Sequence, residues 1–202
     1  MVAPASAGYL IDDFRTRFGA QDVYTAEPGP NSTLSAFDDH PTGAVGDRFM
    51  QVRVLTGNAG DRAVIGHAGE AVRFSVVGGG SFVIQYTLGE ATNLLLLGDR
   101  LALDVTALES PVSLNFSVRD SMNRSRTGQV VVSTTGAPRL LFTDLPGTAD
   151  LTMITSILLG GSTTSSFEGI GFDNFRIIPA PGVAMLAVAA ALATGRRRRR
   201  AS

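Results

Sequence analysis

The chain has no cysteine, no tryptophan and no lysine in its 202 residues. Without cysteine there are no disulfides, no thiolate nucleophile and no cysteine-ligated zinc, although the compartment stays open. Without tryptophan the strongest stacking platform for a sugar ring is missing, which leaves three tyrosines and eleven phenylalanines. With lysine absent, all 17 basic residues are arginine, and five of them are Arg196, Arg197, Arg198, Arg199 and Arg200. Residues 1–195 therefore carry twelve arginines against 18 acids, a net charge of −6. A body of that sign lacks the basic footprint of a nucleic-acid binder. Histidine is scarce: only His40 and His67, both expected in exposed loops. There is no G-x-S-x-G elbow and no H-E-x-x-H pair, so the nucleophile–base and zinc-hydrolase signatures are missing, and the chain is expected not to be an enzyme.

Helical periodicity is also scarce. Between Tyr9 and Ile178 short apolar runs alternate with glycine, proline, serine and aspartate. "AVRFSVV" (71–77), "SFVIQYTL" (81–88) and "VSLNFSVRD" (112–120) each place apolar residues at every second position, the pattern of antiparallel strands with one face buried. "RFMQVRVL" (48–55) does so less cleanly, with Phe49, Val52 and Val54 as its apolar set. Tyr9–Phe14, Asp99–Val105, Gly128–Thr134, Arg139–Asp144, Leu151–Leu159 and Ile170–Ile178 complete about ten strands, which imply an all-β, jelly-roll-like antiparallel β-sandwich over residues 9–178. "GGGS" (78–81) reads as a hairpin turn, because glycine supplies the positive φ such turns require. "RDSMNRSRTG" (119–128) reads as a polar connection. A helix is possible within 90–105, where Leu94–Leu97 favours one. Residues 25–47, rich in proline, glycine and aspartate, read as a long loop.

Three acids carry the metal expectation. Asp12 and Asp13 fall in the first strand and Asp173 in the last, and these strands often lie together in jelly rolls. Calcium takes six to eight oxygens, some of which these carboxylates could supply. Consecutive strand residues point to opposite faces, so Asp12 and Asp13 share a site only across a bulge; the competing reading is a solvated acid and a partner to Arg15 or Arg176. "DDH" (38–40) is a weaker metal candidate. Tyr24 and Tyr86 are the candidate sugar-contacting aromatics. Arg119, Arg124 and Arg126 cluster on one connection, read as solvated. Three N-x-[ST] triplets, at Asn31, Asn115 and Asn123, carry little weight.

The two ends differ from the body. "MVAPASAG" (1–8) lacks a basic n-region and an apolar core, yet its Ala5 and Ala7 match the A-x-A end of a signal peptide. A disordered start and a signal-peptide remnant both stay open. At the other end, 179–202 reads "PAPGVAMLAVAAALATGRRRRRAS". The apolar run 183–194 is twelve residues, about 18 Å as a helix at 1.5 Å per residue. A spanning helix needs about 20 residues, so this is a weak permanent anchor, with its arginines held on the cytoplasmic side.

Pro179-Ala180-Pro181-Gly182, a short apolar helix and a terminal arginine cluster resemble, in that order, the PEP-CTERM sorting signal, with Ala180 in place of the motif's glutamate. The family occurs in Gram-negative bacteria that make exopolysaccharide. The resemblance implies an exported protein, transient attachment to the inner membrane through 183–194, processing by an exosortase-type enzyme near Pro179–Gly182, and residence at the cell surface or in the extracellular matrix. The body is similar only in a general way to carbohydrate-binding-type sandwiches. The expected role is structural or adhesive, with binding of exopolysaccharide as the alternative and a secreted glycan hydrolase or lyase as a third reading.

Overall fold

Alternation of apolar and polar residues decides the architecture. The computed structural model describes residues 8–17, 23–27, 32–39, 41, 44–68 and 71–179. The described residues form thirteen strands: β1 (Tyr9–Asp12), β2 (Val23–Ala26), β3 (Thr33–Asp38), β4 (Asp47–Val54), β5 (Arg62–Ala68), β6 (Ala71–Val77), β7 (Gly80–Thr92), β8 (Arg100–Leu108), β9 (Val112–Asp120), β10 (Ser125–Val132), β11 (Arg139–Leu141), β12 (Ile154–Thr163) and β13 (Phe167–Ile178). One helical turn, α1 (Leu94–Leu97), and a 3₁₀ turn at Phe142–Asp144 interrupt them.

The strands make two antiparallel sheets. A seven-stranded sheet runs β11-β8-β13-β6-β5-β2, with β1 paired to β13, and a six-stranded sheet runs β10-β9-β12-β7-β4-β3. The first strand does lie beside the last, Tyr9 opposite Ile177. Between the sheets sit the inward residues of each strand, among them Met50, Val52, Phe74, Phe82, Ile84, Leu103, Leu114 and Phe116, all essentially buried. Aromatic rings bridge the layers. Phe172 of β13 stacks on Phe82 of β7 at 5.4 Å, and Phe175 lies 5.9 Å from Phe116 of β9. Such contacts add to burial of apolar area, the main favourable term in folding.

Three local readings of the sequence need correction. "GGGS" is not a hairpin: β6 and β7 belong to different sheets, so Gly78 and Gly79 carry the chain across the sandwich edge. Gly78 has φ of 82°, and a Cβ there would fall 2.5 Å from Asp61 Oδ1, so glycine is required by conformation and by space. Residues 25–47 are not one loop, since β3 lies within them and pairs along its length with β4. The imperfect alternation of β4 resolves with Arg48, Met50, Val52 and Val54 inward and Phe49 outward. The helix is a single turn, capped by Asn93, whose side chain accepts from the Leu95 amide. No helix among the described residues is long and apolar enough to cross a membrane. The expected C-terminal hydrophobic helix lies outside the described residues, as do Ala180, Pro181, Gly182, the five arginines and residues 1–7.

Candidate functional site

Asp12 is engaged away from the other two expected metal acids, whereas Asp13 and Asp173 lie close enough for their charges to interact. A β-bulge between Leu10 and Asp12 shifts the register against β13, so that Ile11 and Asp12 are both buried. Asp12 Oδ1 accepts from the Phe14 amide at 2.7 Å; Oδ2 accepts from Arg48 Nη1 at 2.9 Å and from the Tyr86 hydroxyl at 2.8 Å. Arg48 is fully buried, and its Nη2 also donates to Asp38 and to the carbonyls of Thr16 and Arg17. The cluster thus joins the chain after β1 to β3 and β4. Burial pushes the Asp12 carboxyl up against the downward pull of Arg48, Phe14 and Tyr86. Burial also pushes the Tyr86 phenol well above its ordinary value, so it stays protonated and donates to Asp12.

Asp13 remains partly exposed beside Arg15, and Asp173 binds the amide and side chain of Asn174. Burial raises the Asp173 carboxyl, and the charges of Asp104 and Asp13 add to the effect. Among the described residues no group of three or more His, Asp or Glu is placed to hold a metal ion. His40, from "DDH", lies outside the described residues; His67 is half-buried on β5 rather than in a turn.

The two candidate sugar-contacting tyrosines are core residues. Tyr24 is buried on β2, and Tyr86 is buried on β7, 5.8 Å from Phe175. Neither ring presents a face to solvent. In the arginine cluster, Arg124 binds Asp120 at 2.8 Å and Arg126 binds the Ala149 carbonyl at 2.8 Å, so both tie the turn together. Asp120 shows what a buried carboxylate needs. Burial raises it, but amide donors from Asp150, Arg124 and Met122 together with the Arg124 side chain outweigh that and hold it at about 2.

The outer faces of the two sheets differ in chemistry. On the seven-stranded sheet, Arg176 of β13 pairs with Asp104 of β8, and Arg73 of β6 pairs with Glu109 just beyond β8. On the six-stranded sheet, strand register lines the outward residues into rows. One row reads Ser35, Gln51, Val83, Gly160, Asn115, Gln129, and the next reads Phe37, Phe49, Gln85, Leu158, Ser117, Thr127. Neither row contains a charge. Arg53 stands in the row on one side; Asp47 and Arg119 stand in the row on the other. Phe37 is 60% exposed on edge strand β3, opposite Phe49. Gly160 leaves the centre of the face without a side chain, between Val83 and Asn115. Hydroxyls and amides each both donate and accept, so the surface can meet a ligand rich in hydroxyl groups without regard to charge. No single strand shows this face, because Phe49 falls among the apolar set of 48–55 and Phe37 within a segment that reads as a loop. The signal was the alternating polar set of β4, β7 and β9 (Gln51, Gln85, Asn115).

No protein-family model and no curated protein matches the chain. Solved structures do resemble it in fold. The family 11 carbohydrate-binding module from Clostridium thermocellum, in complex with a β-1,3-1,4-mixed-linked tetrasaccharide, superposes with a TM-score of 0.49 at 15% identity, over 87% of this chain and 98% of that one. The module TmCBM61, in complex with β-1,4-galactotriose, gives 0.39 at 20% identity, over 77% and 92%. An exo-β-agarase gives 0.49 at 11% identity, over 86% of this chain and 25% of that enzyme. The likeness concerns the path of the chain through a sandwich.

Proposed function

We propose that this protein is an exported, non-catalytic module that binds an uncharged polysaccharide on the outer face of its six-stranded sheet. The observation that carries this reading is the pair of central rows, in which hydroxyl and amide side chains alternate with Phe37, Phe49, Val83 and Leu158 and no charge interrupts them. Sugars present hydroxyls at their edges and C–H groups on their faces. Gln51, Gln85, Asn115 and Gln129 address the edges, and the exposed ring of Phe37 addresses a face. The rows also lack the paired carboxylates on which glycoside cleavage depends. The face therefore favours binding over hydrolysis, and binding over a purely structural role.

The tail supplies the address. Pro179 to Gly182, the apolar run 183–194 and Arg196–Arg200 would hold the exported body at the inner membrane until an exosortase-type enzyme cuts near Pro179–Gly182. The mature protein extracted from the surface is then expected to lack the five arginines by mass spectrometry, and intact tails would refute the processing step.

Binding is tested on a microarray of neutral and acidic polysaccharides. Retention is expected on one or more neutral glycans. Phe37→Ala is expected to weaken it about tenfold, as loss of an exposed aromatic anchor does. Each of Gln51→Ala and Asn115→Ala is expected to cost about 2- to 10-fold, the worth of one net hydrogen bond. No glycan retained, with the protein folded and its tail processed, would return the structural matrix role.

A further inference from the structure

One end of the sandwich gathers exposed apolar side chains that the glycan face does not use. Three turns form this end and are tied to one another by backbone hydrogen bonds. The Leu94 amide of α1 donates to the Leu151 carbonyl, and the Ser121 amide of the β9–β10 turn donates to the Met153 carbonyl. These turns expose Leu96 (83%), Met122 (72%), Leu95 (54%) and Met153 (46%). Exposed apolar side chains gathered on turns that are bonded to one another are candidates for an interaction surface. Tyr9, Leu97 and Ile177 line a small apolar depression at the same end.

The chain leaves the sandwich here. Ile178 is the last residue of β13, and its carbonyl accepts from the Asp99 amide, two residues beyond α1. Only residues 180–182 separate Pro179 from the apolar run that begins at Val183. An extended connector of that length spans at most about 14 Å. An apolar run inserted in lipid would therefore hold the end of β13 within about that distance of the bilayer surface, and α1 packs beside that end. Beside the turns Asp99 pairs with Arg100 and Asp120 with Arg124, while the exposed Asp150 accepts from the Thr152 amide and hydroxyl, so the end suits a zwitterionic surface better than an anionic one.

We propose that this end is a membrane-resting surface: while the tail is inserted, Leu95, Leu96, Met122 and Met153 sit in the interfacial layer of the bilayer and hold the sandwich upright on it. Interfacial segments settle roughly 5–10 Å into the headgroup boundary, a depth exposed leucines of a single turn can reach. The inference rests on the tail reading, and the glycan face is independent of it. With the end seated, the processing segment after Ile178 lies at the membrane surface, where a membrane-embedded enzyme can reach it.

The missing tryptophan makes the test direct, because a single introduced tryptophan is the only one in the molecule. Three full-length variants are reconstituted with phosphatidylcholine vesicles carrying brominated acyl chains. Leu96→Trp reports the proposed surface, Ala59→Trp reports the β4–β5 turn at the opposite end, and Ala189→Trp reports the tail. The expected result is a blue shift with bromine quenching at positions 96 and 189 and neither at 59. Quenching at 189 with none at 96 would overturn the membrane-resting surface and leave the tail reading intact. Quenching at neither position would overturn both. Quenching at 96 without 189 would uphold a lipid-facing end and remove the tail as its cause. A concentration-dependent blue shift at 96 without vesicles would assign the surface to a second copy of the chain and overturn the proposal. Leu95→Ser/Leu96→Ser, at two exposed positions, is expected to reduce flotation of the full chain with vesicles while the thermal midpoint stays unchanged.

Discussion

Arg48→Met is expected to be among the most damaging single substitutions in the molecule. The guanidinium is fully buried, donating to Asp12 at 2.9 Å, to Asp38 at 3.0 Å and to the Thr16 carbonyl at 2.9 Å. Methionine roughly fills the stem but leaves the Asp12 carboxylate, which has no exposure, with only the Phe14 amide and the Tyr86 hydroxyl. Breaking a buried pair by removing one partner costs about 3–5 kcal/mol, since the remaining charge stays dehydrated. For a chain of this size each kcal/mol moves Tm by about 2–4 °C, which gives a fall of about 6–20 °C. Urea unfolding followed by circular dichroism measures the loss directly. The double variant Arg48→Met/Asp12→Asn, which removes the stranded charge, is expected to regain more than about 1 kcal/mol of it, within the range of coupling between contacting residues. A cost for Arg48→Met below about 1 kcal/mol, typical of an ordinary substitution, with a double variant no better, would refute a stabilising role for the buried pair. Because Arg48 also holds Asp38 beside Phe37, glycan retention is expected to weaken along with stability.

Four further outcomes follow from the same structure. Tyr86→Phe removes one donor from Asp12 and is expected to cost about 1–3 kcal/mol in urea unfolding, with glycan retention unchanged because the ring is buried; loss of retention at full stability would return Tyr86 to the binding site. Gly161→Ala places a Cβ 2.6 Å from Phe82 Cε1, and overpacking of that kind is expected to cost about 1–3 kcal/mol, so an unchanged urea midpoint would contradict it. Asp120 is held at about 2, below its unfolded value of about 3.9, so its stabilisation is complete above about pH 4 and is lost as pH falls toward 2. Urea midpoints between pH 2 and 6 are accordingly expected to fall less steeply for Asp120→Asn than for the parent, and parallel curves would count against the assignment. With both Asp12 oxygens engaged, millimolar calcium is expected to leave the thermal midpoint unchanged, whereas a rise would restore Asp13 and Asp173 as ligands.

Periodicity of two along "AVRFSVV", "SFVIQYTL" and "VSLNFSVRD" determined by itself that these segments are strands with one buried face, since side-chain alternation is a local property of extended backbone. The shortage of helical pattern determined an all-β domain. The tail stood apart for the same local reason, an alanine-rich run ending in five arginines. What tertiary structure decided is everything that depends on which strands meet. It sent Gly78 and Gly79 across the sandwich edge, because β6 finds its partners in β5 and β13 and β7 in β4 and β12. It turned Asp12 inward, because a bulge against β13 places two consecutive residues on the buried side. It made Arg48 an interior residue, because Asp12, Asp38 and two carbonyls converge there from segments far apart in the chain. It also assembled the neutral face, since Phe37, Gln51, Gln85 and Asn115 become neighbours only through the register of separate strands. Each strand's inside and outside are written in its own residues, whereas its neighbours are chosen by the packing of the whole core.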